Sequence, residues 1–233
     1  MKEFWKQNSV FLSLSLILLS VLGLALLCIP TGDLHLLLCD HHTPARDIFY
    51  RYYTQVAEWF PYVVCVALLL FSRIGDGVFA TSAMILSALT TQVFKHLINA
   101  PRPVTWFGLF MPDVELPLVE GVQMNYWYSF PSGHTTSFFA LALVVSVWVT
   151  SRTRETSRTS LTSLTSLTSF LVQVLLFAAA ALGGYSRIYL SQHFSLDVFA
   201  GMIVGVSITI VCYVVFCRYK DSNWYNYRLI SKK

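Results

Sequence analysis

Charge is what this 233-residue sequence has least of. Asp, Glu, Lys and Arg make up 12% of it, where a soluble domain carries about 25%. Residues 9–29 contain no Asp, Glu, Lys, Arg or His at all. Cysteine is sparse too, at five residues. No two of them stand in a CxxC pair, which leaves a zinc ribbon or a dithiol redox centre without support. The net charge is only +4, a surplus that speaks to membrane orientation rather than nucleic-acid binding. These shortages exclude a disordered chain and an ordinary soluble enzyme.

What the sequence has instead is apolar residues, 55% of the total with a mean hydropathy of +0.60, gathered in long blocks. Six blocks read as spanning helices: 9–29, 56–72, 77–98, 133–150, 169–188 and 194–217. A run such as 9–29 covers about 30 Å at ~1.5 Å per residue, the thickness of a bilayer core. It exceeds a signal-peptide apolar region and no small-residue cleavage site follows, so it reads as a span. The second block is the weakest, being short and holding Glu58 and Pro61. The expected fold is all-α: a polytopic membrane bundle of six transmembrane helices forming a single domain over 1–233.

An even number of spans puts both termini on one side. That side collects eleven of the Lys and Arg residues and the other five: Arg46, Arg51, Lys95, Arg102 and Arg187. Positive charge marks the cytoplasmic face. The termini are therefore expected in the cytoplasm, and loops 30–55, 99–132 and 189–193 outside, in the periplasm if the membrane is a bacterial inner membrane. Aromatic residues crowd 43–62 and 99–132, as suits segments lying at the headgroup level. The tract 159–169, TSLTSLTSLTS, reads as a cytoplasmic connector without chemistry. Cys28 and Cys39 are able to pair if their loop faces an oxidising compartment.

The polar residues at the span ends carry the chemistry, because charge held at membrane depth is costly and marks function. Lys95 closes the third span and Arg102–Pro103 follow. Pro131–Ser132–Gly133–His134 opens the fourth span, and Ser186–Arg187, His193 and Asp197 bracket the link between the fifth and sixth. By the topology above all three segments emerge on the outer face. Lys95, Arg102 and Arg187 match the charge of a tetrahedral dianion, the arginines as forks and the lysine as a point charge. Ser132 and Gly133 precede a helix, where backbone N–H groups face an anion. His193 and Asp197 are four apart, so on a helix the carboxylate holds one imidazole nitrogen and frees the other. Asp40, His41 and His42 lack partners at metal-ligand spacing and read as a hydrated cluster. His96 is turned away from Lys95 by helical geometry, and His35 reads as a loop residue.

Three motifs, KX6RP, PSGH and SRX5HX3D, are present in order and without departure over 95–197. On these the sequence resembles the type 2 phosphatidic acid phosphatase superfamily, the integral membrane lipid phosphate phosphatases. The resemblance implies a double-displacement phosphatase. His193 is the nucleophile and forms a phosphohistidine, Asp197 orients it, and His134 protonates the leaving oxygen and then activates water. Lys95, Arg102, Ser132, Gly133 and Arg187 bind the phosphoryl oxygens. The implied site needs no metal and no cofactor. The implied partner is a membrane lipid phosphate in the bilayer, such as phosphatidate, phosphatidylglycerol phosphate, undecaprenyl diphosphate or lipid A, and no nucleic acid. A lipid phosphotransferase of the same fold shares the first half-reaction and stays open at this point, as does a non-catalytic transporter or scaffold. Against the last, the polar groups gather at one face and no broken-helix pair or internal repeat is seen.

Overall fold

The computed structural model describes residues 2–157 and 162–229, and among these every regular element is helical. In chain order they are α1 (Lys2–Gln7), α2 (Ser9–Cys28), α3 (Thr31–Cys39), α4 (Pro44–Tyr53), α5 (Trp59–Ser72), α6 (Ile74–Ile98), α7 (Pro103–Phe110), α8 (Gly133–Ser157), α9 (Thr162–Tyr189), α10 (Ser195–Phe216) and α11 (Asn223–Asn226). Five runs are long and apolar enough to cross a membrane: Ser9–Cys28, Ile74–Phe110, Gly133–Thr153, Leu167–Tyr189 and Ser195–Tyr219. The sixth is a bent pair, Pro44–Ala57 with Phe60–Ser72, meeting at 44°. The multi-pass helical bundle expected from the apolar blocks is therefore what the chain forms.

The bend falls where the second block looked weakest. Glu58 is extended, with ψ 174. Proline at 61 lacks an N–H and clashes with the carbonyl four residues back, so a helix arriving through Ala57 cannot continue, whereas the first turn of a new helix accepts it. Other boundaries shift outward. The described part of the 159–169 tract, from Thr162 on, is the first part of α9 rather than a connector, while residues 158–161 lie outside the described residues. Two segments read as loop also hold helices, α3 and α7. Thr43 caps α4 by accepting from the Arg46 N–H at 3.3 Å, with Pro44 pre-set for the first helical position.

α8 is the centre of the bundle and packs on α6, α9 and α10. Its Phe138, Phe139, Leu143, Val144 and Val147 join Ala83 of α6 and Met202 of α10 in the main core. α2 lies at the periphery, with Leu16, Ile17 and Leu24 exposed. α8 and α10 approach backbone to backbone. A Cβ at Gly201 would stand 2.6 Å from the Ser132 carbonyl oxygen, and one at Gly205 would collide with that of Thr136. Only glycine permits this contact.

The bundle has two unlike ends. Where α6 begins and α8 and α10 finish, Glu3, Gln7, Asp76, Trp148, Tyr213 and Tyr225 line a cavity of about 540 Å³. α1 and α11 both lie there. The opposite end holds Lys95, the turn before α8 and the link between α9 and α10.

Candidate active site

Each motif residue is delivered by a helix terminus. α6 ends at Ile98 because Asn99 takes the left-handed conformation, φ 45, and donates its N–H to the Lys95 carbonyl. Asparagine tolerates that geometry. The chain then reverses. Arg102 N–H donates to Tyr126 O at 2.9 Å and Ser129 N–H to Ala100 O at 3.0 Å, laying 126–129 alongside 100–102. This zipper carries the first motif to the second. The Lys95 ammonium donates to Tyr128 O at 2.5 Å, and Arg102 donates to Trp127 O at 3.1 Å and to the Gln192 side chain at 3.0 Å.

The link 189–194 is wound tightly on the end of α9. Gln192 and His193 both donate their N–H groups to Arg187 O, at 3.0 and 3.1 Å, and Ser191 is left-handed at φ 50. Asp197 lies in the first turn of α10 and one of its oxygens does nearly all the work. Oδ2 accepts from Phe194 N–H at 2.9 Å and from Ser129 Oγ at 2.5 Å, and faces His193 Nδ1 at 3.3 Å. Ser129 Oγ lies 3.4 Å from the same nitrogen. With Nδ1 turned to the carboxylate, the lone pair of the neutral ring sits on Nε2. The carbonyl of Asp197 accepts from Ser132 N–H at 2.9 Å, so the second and third motifs are joined by a hydrogen bond. Ser132 Oγ in turn accepts from Thr135 Oγ1 at 2.9 Å.

His193 is 1% exposed. Burial, and after it the charges of Arg102, Arg187 and Lys95, hold its imidazole well below the ordinary value, so it is neutral. Those three cations thus lie within electrostatic reach of one ring. His134, at the start of α8, interacts electrostatically with Arg187, His193, Arg102 and Lys95, which places it at the same cup. Arg187, 6% exposed, donates to Thr54 Oγ1 at 2.6 Å, and its Nε is buried without a hydrogen-bond partner. Gly133 sits beside Thr91 and Lys95: a Cβ there would approach the Lys95 Cε to 4.0 Å. All eight residues singled out in the sequence therefore gather at one end of the bundle.

Ser129, Thr54, Gln192 and His35 join this region without any motif that marks them. His35 is not a loop residue. It lies in α3, fully buried, with Nε2 3.3 Å from Ser191 Oγ and its ring 5.1 Å from that of Phe194. Burial lowers its pKa to about 4, with Asp197 opposing. Behind it Cys39 donates its thiol to Ile188 O at 3.0 Å, and burial pushes that thiol up to about 12. Cys28 and Cys39 are both free thiols, the first exposed and the second buried, so they are not paired. His42 Nδ1 meets Asp47 Oδ1 at 2.9 Å and its ring stacks on Tyr189 at 4.2 Å. His96 is exposed and bonds Gln92 O.

A helical membrane bundle with a cationic cup around a neutral imidazole defines a membrane phosphatase. The chain belongs to the PAP2 superfamily, which residues 76–220 match. Among curated proteins it is 27% identical over 190 residues to the lipid A 4'-phosphatase of Porphyromonas gingivalis, covering 78% of this chain and 70% of that one. It is also 27% identical over 168 residues to lipid phosphate phosphatase 2 of Arabidopsis thaliana, covering 66% and 56%. Its structure resembles Aquifex aeolicus LpxE, with a TM-score of 0.59 at 25% identity over 78% of this chain and 93% of that one. It shares its fold with the PAP2-type phosphatidylglycerolphosphate phosphatase of Bacillus subtilis, with a TM-score of 0.66 at 20% identity over 94% and 100%.

Proposed function

We propose that this PAP2 lipid phosphatase removes phosphate from a membrane lipid by double displacement through a phosphohistidine at His193. Nε2 of His193 attacks phosphorus while the bond from phosphorus to the lipid oxygen breaks, and protonated His134 gives its proton to that oxygen. His134 then takes a proton from water. The water oxygen attacks phosphorus, the bond to Nε2 breaks, and inorganic phosphate leaves. Asp197 and Ser129 hold Nδ1 and balance the charge that the ring acquires. Lys95, Arg102, Arg187, Ser132 and the Gly133 N–H receive the phosphoryl oxygens, and the cations carry the charge-stabilising part that phosphoryl transfer demands. No divalent ion enters this scheme.

One observation carries the reading. Three cations lie within electrostatic reach of the His193 ring with Asp197 as the buried carboxylate beside it, and Arg187 Nε is buried without a hydrogen-bond partner. Buried charge left uncompensated costs several kcal/mol, and a phosphate dianion compensates it. The P. gingivalis and A. thaliana relatives, by their names, act on lipid A and on lipid phosphates, and a phosphorylated lipid is the substrate assigned to this chain. The surplus of Lys and Arg at the opposite end supports a cytoplasmic position for that end and an outward-facing cup.

Purified protein in detergent, given a panel of lipid phosphates, is expected to release phosphate, with orthovanadate inhibiting and EDTA without effect. Substitution His193→Ala is expected to lower turnover by about 10³-fold or more. Full activity in that variant overturns the nucleophile assignment, and appearance of label from a donor in a new phospholipid instead of free phosphate favours a transferase.

A further inference from the structure

A groove of about 300 Å³ opens on the side of the bundle between α6 and α10. Phe94, Pro131, Leu196, Ala200, Ile203 and Val204 are among the side chains that line it, and all the lining residues are apolar. Phe94, Leu196 and Ile203 are exposed, so the groove faces outward from the bundle. Its upper end adjoins the cup. Pro131 precedes Ser132 and Leu196 precedes Asp197, so the same two turns present polar groups inward and apolar groups to the groove. From Leu196 to Val204 it runs down α10 for roughly 12 Å at ~1.5 Å per residue.

We infer that this groove holds one acyl chain of the lipid whose phosphate occupies the cup, and that its length sets the chain-length preference of the enzyme. The inference rests on the lipid phosphatase reading above. Continuity with the cup selects this occupant: whatever lies at Pro131 and Leu196 is within a residue of the phosphate-binding and carboxylate turns. A polar occupant is excluded, since none of the lining side chains would satisfy its hydrogen bonds. A chain moving from the bilayer into the groove gains no hydrophobic free energy, because it leaves one apolar medium for another. What the groove supplies is position: it fixes the headgroup over the cup, so remote binding appears as turnover.

The test compares phosphatidates of increasing chain length, dihexanoyl, dilauroyl and dipalmitoyl, with a chainless soluble phosphate monoester. Ala200→Phe, which fills the groove near its top, is expected to cut kcat/KM for the dipalmitoyl lipid by about tenfold or more and to leave the chainless ester unchanged. Val204→Trp, at the far end, is expected to affect only the long chain. Equal rates for all lipids in both variants overturn the groove while leaving the phosphatase reading intact. Wild-type protein that hydrolyses no lipid phosphate sinks that reading instead. Where a variant loses all activity alike, photolabelling of the wild type decides. A phosphatidate with a diazirine near its chain end is expected to mark Ile203 and Val204. Equal marking by the matching diacylglycerol, which has no phosphate, or marking elsewhere, overturns the inference.

Discussion

At the end of the bundle that holds α1 and α11, Arg152 meets Asp76 at 2.9 Å, and Asp76 also accepts from the Tyr225 hydroxyl at 3.1 Å. Lys220 lies over the Tyr213 ring, 4.7 Å from its centroid. At the other end Lys95, Arg102 and Arg187 crowd one imidazole, and Asp197 is committed to His193, Ser129 and the α10 backbone. The first set of charges is matched by partners within the protein. The second is matched only in part: three cations face one carboxylate. Matched charges hold helices together; unmatched ones wait for a ligand.

That contrast can be broken from either end. Arg187→Gln is expected to lower kcat/KM about 10²–10³-fold while leaving thermal unfolding in detergent unchanged or slightly raised, since a buried unpaired cation is gone. Acid should act behind the cup. His35 is neutral when folded, with a pKa of about 4 against 6.5 unfolded. Its contribution is therefore complete above pH 6.5 and is lost as pH falls towards 4, by up to about 3 kcal/mol. Unfolding followed at pH 7 and pH 4.5 should show this loss, and His35→Gln should flatten it. Arg152→Met is expected to do the reverse of the Arg187 change, lowering stability by about 1–3 kcal/mol and leaving kcat alone. The smallest effect is expected at Ser129→Ala. Removing one donor to Asp197 should reduce kcat by about tenfold, with KM unaltered, because the serine touches Asp197 and the His193 ring and not the substrate.

The fold was largely legible because spanning helices are written as unbroken apolar runs, and the motifs because their spacing is short and local. Lys95 and Arg102 are tied by a single helix terminus, and His193 and Asp197 by a single turn. What stayed hidden depends on contacts between segments far apart. Ser129 reaches Asp197 across 68 positions, Thr54 reaches Arg187 across 133, and His35 reaches Ser191 across 156. No periodicity in the sequence marks such residues. The bend at Glu58 was half legible: Pro61 announced a break, but only the extended backbone at 58 shows where it falls.

The hydrogen bond from Ser132 N–H to the Asp197 carbonyl, set over the glycine contact at 201, has a mechanical consequence. Bilayers thicken, thin and curve, and helices tilt in response. Because these two helix starts are stitched together, such a tilt carries the turn at Ser132 and the carboxylate beside His193 as one piece. On the mechanism proposed above, the alignment of the His193 nitrogen with phosphorus is thereby insulated from the breathing of the lipid around it.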